Sequence, residues 1–190
     1  RRVLFRSMIH KDGTLICNGG GFYTKKSFDA ELGAAASLVK LCLQENMHKN
    51  VDKILRDIQK KEHIILNAMQ QEGVKRVFEN PVSIITGGPG RGKTTIIHFI
   101  IAVQEALNKN SMILLCAPTG RARRRMSDCT GYPAMTIHKA VGMKGEDGEE
   151  EWKEDFLLPD DLIIVDESSM IDMYLADQLF SHIKPGTRIV

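Results

Sequence analysis

Residues 87–94 read Gly-Gly-Pro-Gly-Arg-Gly-Lys-Thr, and no other stretch of the chain narrows its possible folds as far. The octapeptide satisfies G-x-x-x-x-G-K-[ST], with an apolar run before it (Val82-Ser83-Ile84-Ile85-Thr86) and a helical pattern after it (Thr94 to about Leu107). A strand, a glycine loop and a helix in that order form a receptacle for a polyphosphate. Glycines let successive backbone N–H groups converge where any side chain would block the approach. The helix turns its positive N-terminal end to the same anion. Lys93 adds a mobile charge for the β- and γ-phosphates, and Thr94 offers a hydroxyl to Mg²⁺.

A site of this kind needs a carboxylate for the metal and a group to activate water. Leu162-Ile163-Ile164-Val165 reads as a buried strand and leads straight into Asp166-Glu167. Asp166, at the strand's carboxyl end, is placed to hold Mg²⁺ through its water shell. Glu167 is placed to orient or deprotonate an attacking water, which favours hydrolysis over transfer to a small acceptor. Ligands in open α/β sheets gather at the carboxyl ends of the strands, so the two motifs should meet there. Guanine specificity would call for Asn-Lys-x-Asp. The nearest string, Asn108-Lys109-Asn110-Ser111, lacks the aspartate, which argues against a GTPase.

The remaining pattern predicts an α/β fold: a mainly parallel sheet covered on both faces, preceded by a helical connector. Asp12-Gly13 and the apolar run to Cys17 suggest the end of a β element, and Gly19 to Gly21 a loop. Ser27, Asn50 and Asn67 can cap helices over about 28–44, 51–61 and 68–79. Further on, Met112 to Cys116 reads as a strand, Thr119 to Ser127 as a helix, Thr136 to Val141 as a short helical turn, and Arg188 to Val190 as a strand barely begun. Gly142 to Asp160 is a glycine-rich acidic surface excursion that carries Trp152. The expected organisation is a connector over residues 8–62 and part of a motor domain over 63–190.

Composition adds mainly exclusions. Hydrophobic residues make up 43% and charged residues 26%, which excludes a disordered or collagen-like chain. The longest apolar stretch, Ile96 to Val103, is interrupted by His98 and is too short to span a bilayer. No secretion signal opens the chain, and the four cysteines (Cys17, Cys42, Cys116, Cys129) form no CxxC pair, so reduced thiols and a cytoplasmic protein are expected. Arg1 to Ser7 resembles one reading frame of a sequencing adapter and is set aside as an assembly scar. Without its three arginines, 23 Lys and Arg face 24 Asp and Glu, and the formal charge of +2 becomes −1. Any nucleic-acid argument must therefore rest on local charge, such as the cluster Arg121, Arg123, Arg124 and Arg125, which suits a phosphate backbone or a solvated face.

Four segments now fall into one order: Gly87 to Thr95, then Ala117-Pro118-Thr119-Gly120-Arg121-Ala122, then Thr136-Ile137-His138, then Ile164 to Met170. In order and wording they resemble the motifs of RecD-like DNA helicases of superfamily 1, the 5′-to-3′ branch that includes the exodeoxyribonuclease V alpha subunit. The resemblance runs from about Leu66 to Val190, and more faintly over Tyr23 to Leu43. It implies a P-loop NTPase of RecA-like fold that couples ATP hydrolysis, with Mg²⁺, to movement on single-stranded DNA in recombination and repair. It also implies a role for each matching residue. Gln70 contacts adenine, and its amide can donate to and accept from one base edge. Gly87, Gly88, Pro89, Gly90, Arg91, Gly92, Lys93, Thr94 and Thr95 form the nucleotide loop. Thr94 and Asp166 hold the metal, and Lys93, Asp166 and Glu167 carry catalysis. Pro118, Thr119, Gly120, Arg121, Thr136 and His138 lie along the DNA. His138 could equally be a structural histidine.

The chain departs from that family at Arg91, where threonine is usual, and it stops at Val190, ahead of the family's Gly-Asp-x-x-Gln region and second motor domain. A piece of a longer protein is expected. The alternatives are the helicase part of a conjugative relaxase and a non-hydrolysing P-loop nucleotide-binding module. Intact Lys93, Thr94, Asp166 and Glu167 speak against the second.

Overall fold

A computed structural model of the chain describes residues 15–44, 51–88, 90–143 and 156–190. The expected scar, the Asp12-Gly13 turn, the Asn50 cap, Pro89 and the acidic stretch around Trp152 lie outside the described residues.

The described chain opens with a hairpin, β1 (Leu15–Asn18) and β2 (Gly21–Thr24), paired antiparallel. Its two-residue turn has φ of 55° at Gly19 and 82° at Gly20. Tight hairpin turns whose twist matches the strands need that left-handed backbone, and glycine adopts it without strain. The expected loop is therefore two residues long, and Gly21 already belongs to a strand. Helix α1 follows at once (Lys25–Cys42). Thr24 caps it, its hydroxyl accepting from the Ser27 N–H at 3.2 Å, so the helix starts a turn earlier than Ser27 suggested. The Ser27 hydroxyl instead bonds the Tyr174 hydroxyl at 2.8 Å.

Helices α2 (Asp52–Glu62) and α3 (Ala68–Glu79) come next. The limits of α3 are those its cap dictates: Asn67 accepts from the Gln70 N–H, and Gln70 returns a bond to the Asn67 N–H. Two orphan donors are satisfied reciprocally. Helix α4 (Lys93–Leu107) is followed by β3 (Ile113–Ala117), α5 (Gly120–Thr130), β4 (Ala134–Thr136) and α6 (Ile137–Ala140). After β5 (Leu162–Val165) come a 3₁₀ turn (Ser168–Met170), α7 (Met173–Ser181) and β6 (Arg188–Ile189).

Strands β4-β3-β5-β6, in that order, form a wholly parallel sheet. Alternation of side chains sends Leu115, Leu162 and Ile164 into one core, with Phe78, Phe99, Ile100 and Leu55 from α2, α3 and α4. Leu114, Cys116 and Ile163 point the other way, into a second core with Leu41 of α1, Ile137 of α6 and Leu179 of α7. Helices thus cover both faces, as the unbroken apolar strands required. Burial pushes the Cys116 thiol up to about 12, so it stays neutral inside that core. At the amino ends of the strands, Asp161 accepts from the Met112 N–H at 3.1 Å and the Lys184 ammonium at 3.1 Å, tying the approaches to β3 and β6 together.

One expected strand is absent. Across 82–86 only Val82 bridges to Ile189, with the Ser83 N–H donating to the Ile189 carbonyl at 2.9 Å, and Ile84 is exposed. The reason is nonlocal. Val190 turns to β5, donating to the Ile163 carbonyl and accepting from the Val165 N–H, and among the described residues no backbone hydrogen bond reaches Ile84 to Thr86. Among the described residues no helix is long and apolar enough to cross a membrane.

Candidate nucleotide-binding site

The glycine loop and the residues after β5 line one cleft of about 420 Å³ at the carboxyl edge of the sheet. Gly88, Gly90, Arg91, Gly92, Lys93 and Thr94 form one wall, Asp166 and Glu167 another. Helix α4 begins at Lys93 with Gly92 as its cap, and no cap side chain bonds its first N–H groups. Those orphan donors and the helix dipole face an anion-sized space. Gly92 has φ of 84°, and a Cβ there would stand 2.5 Å from the Gln70 amide nitrogen. Only glycine fits that bend. Lys93 reaches back over the loop and donates to the Gly87 carbonyl at 2.9 Å.

Asp166 continues the sheet by one bond, its N–H donating to the Cys116 carbonyl at 3.0 Å. Its carboxylate accepts from the Glu167 N–H at 3.0 Å, which orients it toward the cleft. Glu167 is one of two described non-glycine residues with positive φ (55°), the other being His63. That backbone costs about 1–3 kcal/mol, and strain of this kind gathers at sites where it sets a side chain. Glu167 Oε1 lies 4.0 Å from Arg125 Nη1. As oxygen donors on the cleft, the Thr94 hydroxyl and the Asp166 carboxylate suit a hard Mg²⁺ that completes its shell with phosphate oxygens and water.

Gln70 occupies the edge of the loop. Its amide oxygen accepts from the Asn67 N–H at 3.0 Å, and its nitrogen donates to the Arg91 carbonyl at 3.3 Å. The capping box of α3 is therefore also a brace for the phosphate loop. Gln71 turns away to the Leu66 carbonyl at 2.8 Å. The Arg91 side chain is exposed, so its difference from threonine leaves the backbone cradle intact.

The residues expected along DNA sit at the same edge of the sheet. Thr119 caps α5, accepting from the Ala122 N–H at 3.2 Å, and Thr136 caps α6, accepting from the Lys139 N–H at 3.3 Å. Because Ala117 pairs with Thr136, these two turns leave the sheet side by side. Gly120 and Arg121 are exposed, His138 is half-buried, and Pro118 is buried and shapes the turn rather than offering a surface. The arginine cluster divides. Arg123 turns inward to the Ala134 carbonyl at 3.5 Å, Arg121 and Arg124 face outward, and Arg125 joins the nucleotide cleft.

Comparison with known proteins decides the family: residues 70–190, well over half of the chain, match the AAA domain. The chain belongs to the AAA domain family. Within it the sequence is RecD-like. It is 38% identical over 109 residues to the ATP-dependent RecD2 DNA helicase of Deinococcus radiodurans, covering 56% of this chain and 14% of that protein. It is 29% identical over 168 residues to the RecBCD enzyme subunit RecD of Haemophilus influenzae, covering 77% of this chain and 26% of that one. The RecD subunit of Mycolicibacterium smegmatis gives 30% over 143 residues, covering 64% of this chain and 26% of that subunit. The chain thus spans 14–26% of the length of these relatives.

The AAA domain match starts at Gln70, so it takes in both walls of the cleft and the brace beside it. Ile97, Met126, Cys129 and Thr130 also line the cleft and were not expected there, and Arg125, expected only within the arginine cluster, lines it with them. Their signal was helical phase. Arg125 and Cys129, like Met126 and Thr130, lie four apart on a helix that runs to Thr130, past the expected end at Ser127, and stops at Gly131 (φ 73°).

Proposed function

We propose that this chain is the nucleotide-binding part of the first motor domain of a RecD-like, ATP-dependent DNA helicase that moves 5′ to 3′ on single-stranded DNA. Residues 63–190 supply the RecA-like half-site and residues 8–62 the connector. The observation that carries this reading is that the phosphate loop and the Asp166-Glu167 pair line one cleft. Neither motif alone implies turnover. Together they provide a phosphate cradle, a metal ligand and a carboxylate for water.

In this reading the α4 amides and Lys93 bind and orient the triphosphate, with Gly87 to Thr95 as the cradle. Thr94 and Asp166 hold Mg²⁺, which when bound offsets the charge on the phosphate oxygens. Glu167 accepts a proton from the attacking water at its carboxylate. Gln70 recognises the adenine, releasing the Arg91 carbonyl to do so. Thr119, Gly120, Arg121, Thr136 and His138 track the DNA backbone, where hydroxyl and guanidinium contacts are indifferent to sequence. Pro118 holds the turn that presents them. Four free thiols support a cytoplasmic setting. Relatives named as RecBCD subunits support a partnership in recombination or repair.

The test is ATP hydrolysis by the full-length protein with and without single-stranded DNA, alongside unwinding of duplexes with 5′ or 3′ overhangs. DNA-stimulated hydrolysis and unwinding from the 5′ overhang are expected. Hydrolysis indifferent to DNA would overturn the reading.

A further inference from the structure

Arg125 stands on two surfaces at once. It lines the nucleotide cleft beside Lys93, Asp166 and Glu167. It also lines the shallow depression along α5, with Arg121 and Arg124 before it and Asp128 after it. Arg121 and Arg125 are one turn apart, so the outward arginine face runs toward Glu167 as the helix proceeds. Arg125 is also the point where the face touches the cleft chemistry, its Nη1 being 4.0 Å from Glu167 Oε1.

The strength of that contact matters. Arg125 is 73% exposed and Glu167 39%, and the separation is at the outer limit of an ion pair. Water screens such a pair heavily, so a stronger anion can displace the carboxylate at little cost. Phosphate is one, because guanidinium binds it with paired, charge-assisted hydrogen bonds. An anion chain laid along Arg121 and Arg124 brings phosphates within a helical turn of Arg125.

We infer that Arg125 is a positioning residue that couples occupancy of the arginine face to the state of Glu167, an inference that rests on the helicase reading above. With the face empty, Arg125 pairs with Glu167 and holds the carboxylate off the water it would activate. With nucleic-acid phosphates on the face, Arg125 turns to them and Glu167 is released. Hydrolysis then follows DNA binding without any movement of the glycine loop.

The test compares wild-type, Arg125→Gln and Arg125→Lys full-length proteins in steady-state ATPase assays, without DNA and at saturating oligo(dT). In Arg125→Gln the DNA-free kcat should rise about twofold to fivefold, the scale of an exposed ion pair, while KM for ATP holds and the DNA-saturated kcat stays near wild type. The stimulation ratio falls by the same factor, and Arg125→Lys restores most of it. An unchanged ratio in Arg125→Gln would overturn the inference, as would equal loss of both rates with a raised KM, the mark of a plain nucleotide contact. Failure of the helicase reading looks different: wild-type hydrolysis would ignore DNA, or would survive Glu167→Gln.

Discussion

Glu167→Gln in the full-length protein should bind ATP about as tightly as wild type and turn it over about 10²–10⁴ times more slowly, the usual contribution of a positioned general base. Glutamine keeps the volume of the side chain and can still orient a water, but it cannot take up its proton. The substitution should be silent structurally. Glu167 is partly exposed, its backbone N–H still bonds Asp166, and the strained φ of 55° is unaffected by the change. Single-turnover hydrolysis and equilibrium binding of a fluorescent ATP analogue separate the two quantities. A parallel loss of binding would mean that Glu167 supports the fold of the cleft rather than the reaction.

Lys93→Ala should show the complementary pattern, with both binding and turnover lost. A charge-assisted hydrogen bond contributes about 1.5–3 kcal/mol, which corresponds to roughly 10- to 100-fold in ATP affinity. A further loss of about 10²–10³ in kcat is expected, since charge on the γ-phosphate oxygens grows as the reaction proceeds and a preorganised donor is strongest there. The substitution removes one intramolecular contact, the exposed bond to the Gly87 carbonyl, so stability should hold. Isothermal titration with ATP, together with thermal melting, tests both halves. Unaltered affinity would place Lys93 outside the phosphate site.

Both effects concern residues that could be read from the sequence, and the reason is local chemistry. A glycine loop with Lys93 and Thr94 at its end specifies its own backbone within eight residues, and an apolar run ending in Asp166-Glu167 needs only the rule that ligands gather at strand ends. Helix α3 was equally legible because its cap lies within three residues of itself. What escaped depends on distant partners. Strand β4 is three residues long and exists because it pairs with Leu115 to Ala117. Val82 to Thr86 has every local mark of a strand yet forms one bridge, since a strand is made by its neighbour. Helix α7, capped by Asp172 and burying Leu175 and Leu179, had its signals but no motif to draw attention to it. The placement of Arg125 on the nucleotide cleft could not be seen in a run of arginines. Only the phase of α5 separates the arginine that faces Ala134 from the one that faces Glu167.

If one cleft takes a phosphate chain against Lys93 and its cation against Asp166, a crystal structure of the full-length protein with a non-hydrolysable ATP analogue and Mg²⁺ will show both at once. Expected are phosphates bonded by the amides around Gly92 and by the Lys93 ammonium, with the cation between the Thr94 hydroxyl and the Asp166 carboxylate, directly or through one water. An analogue bound elsewhere, or a cation on the phosphates with Asp166 turned out of reach, would contradict it.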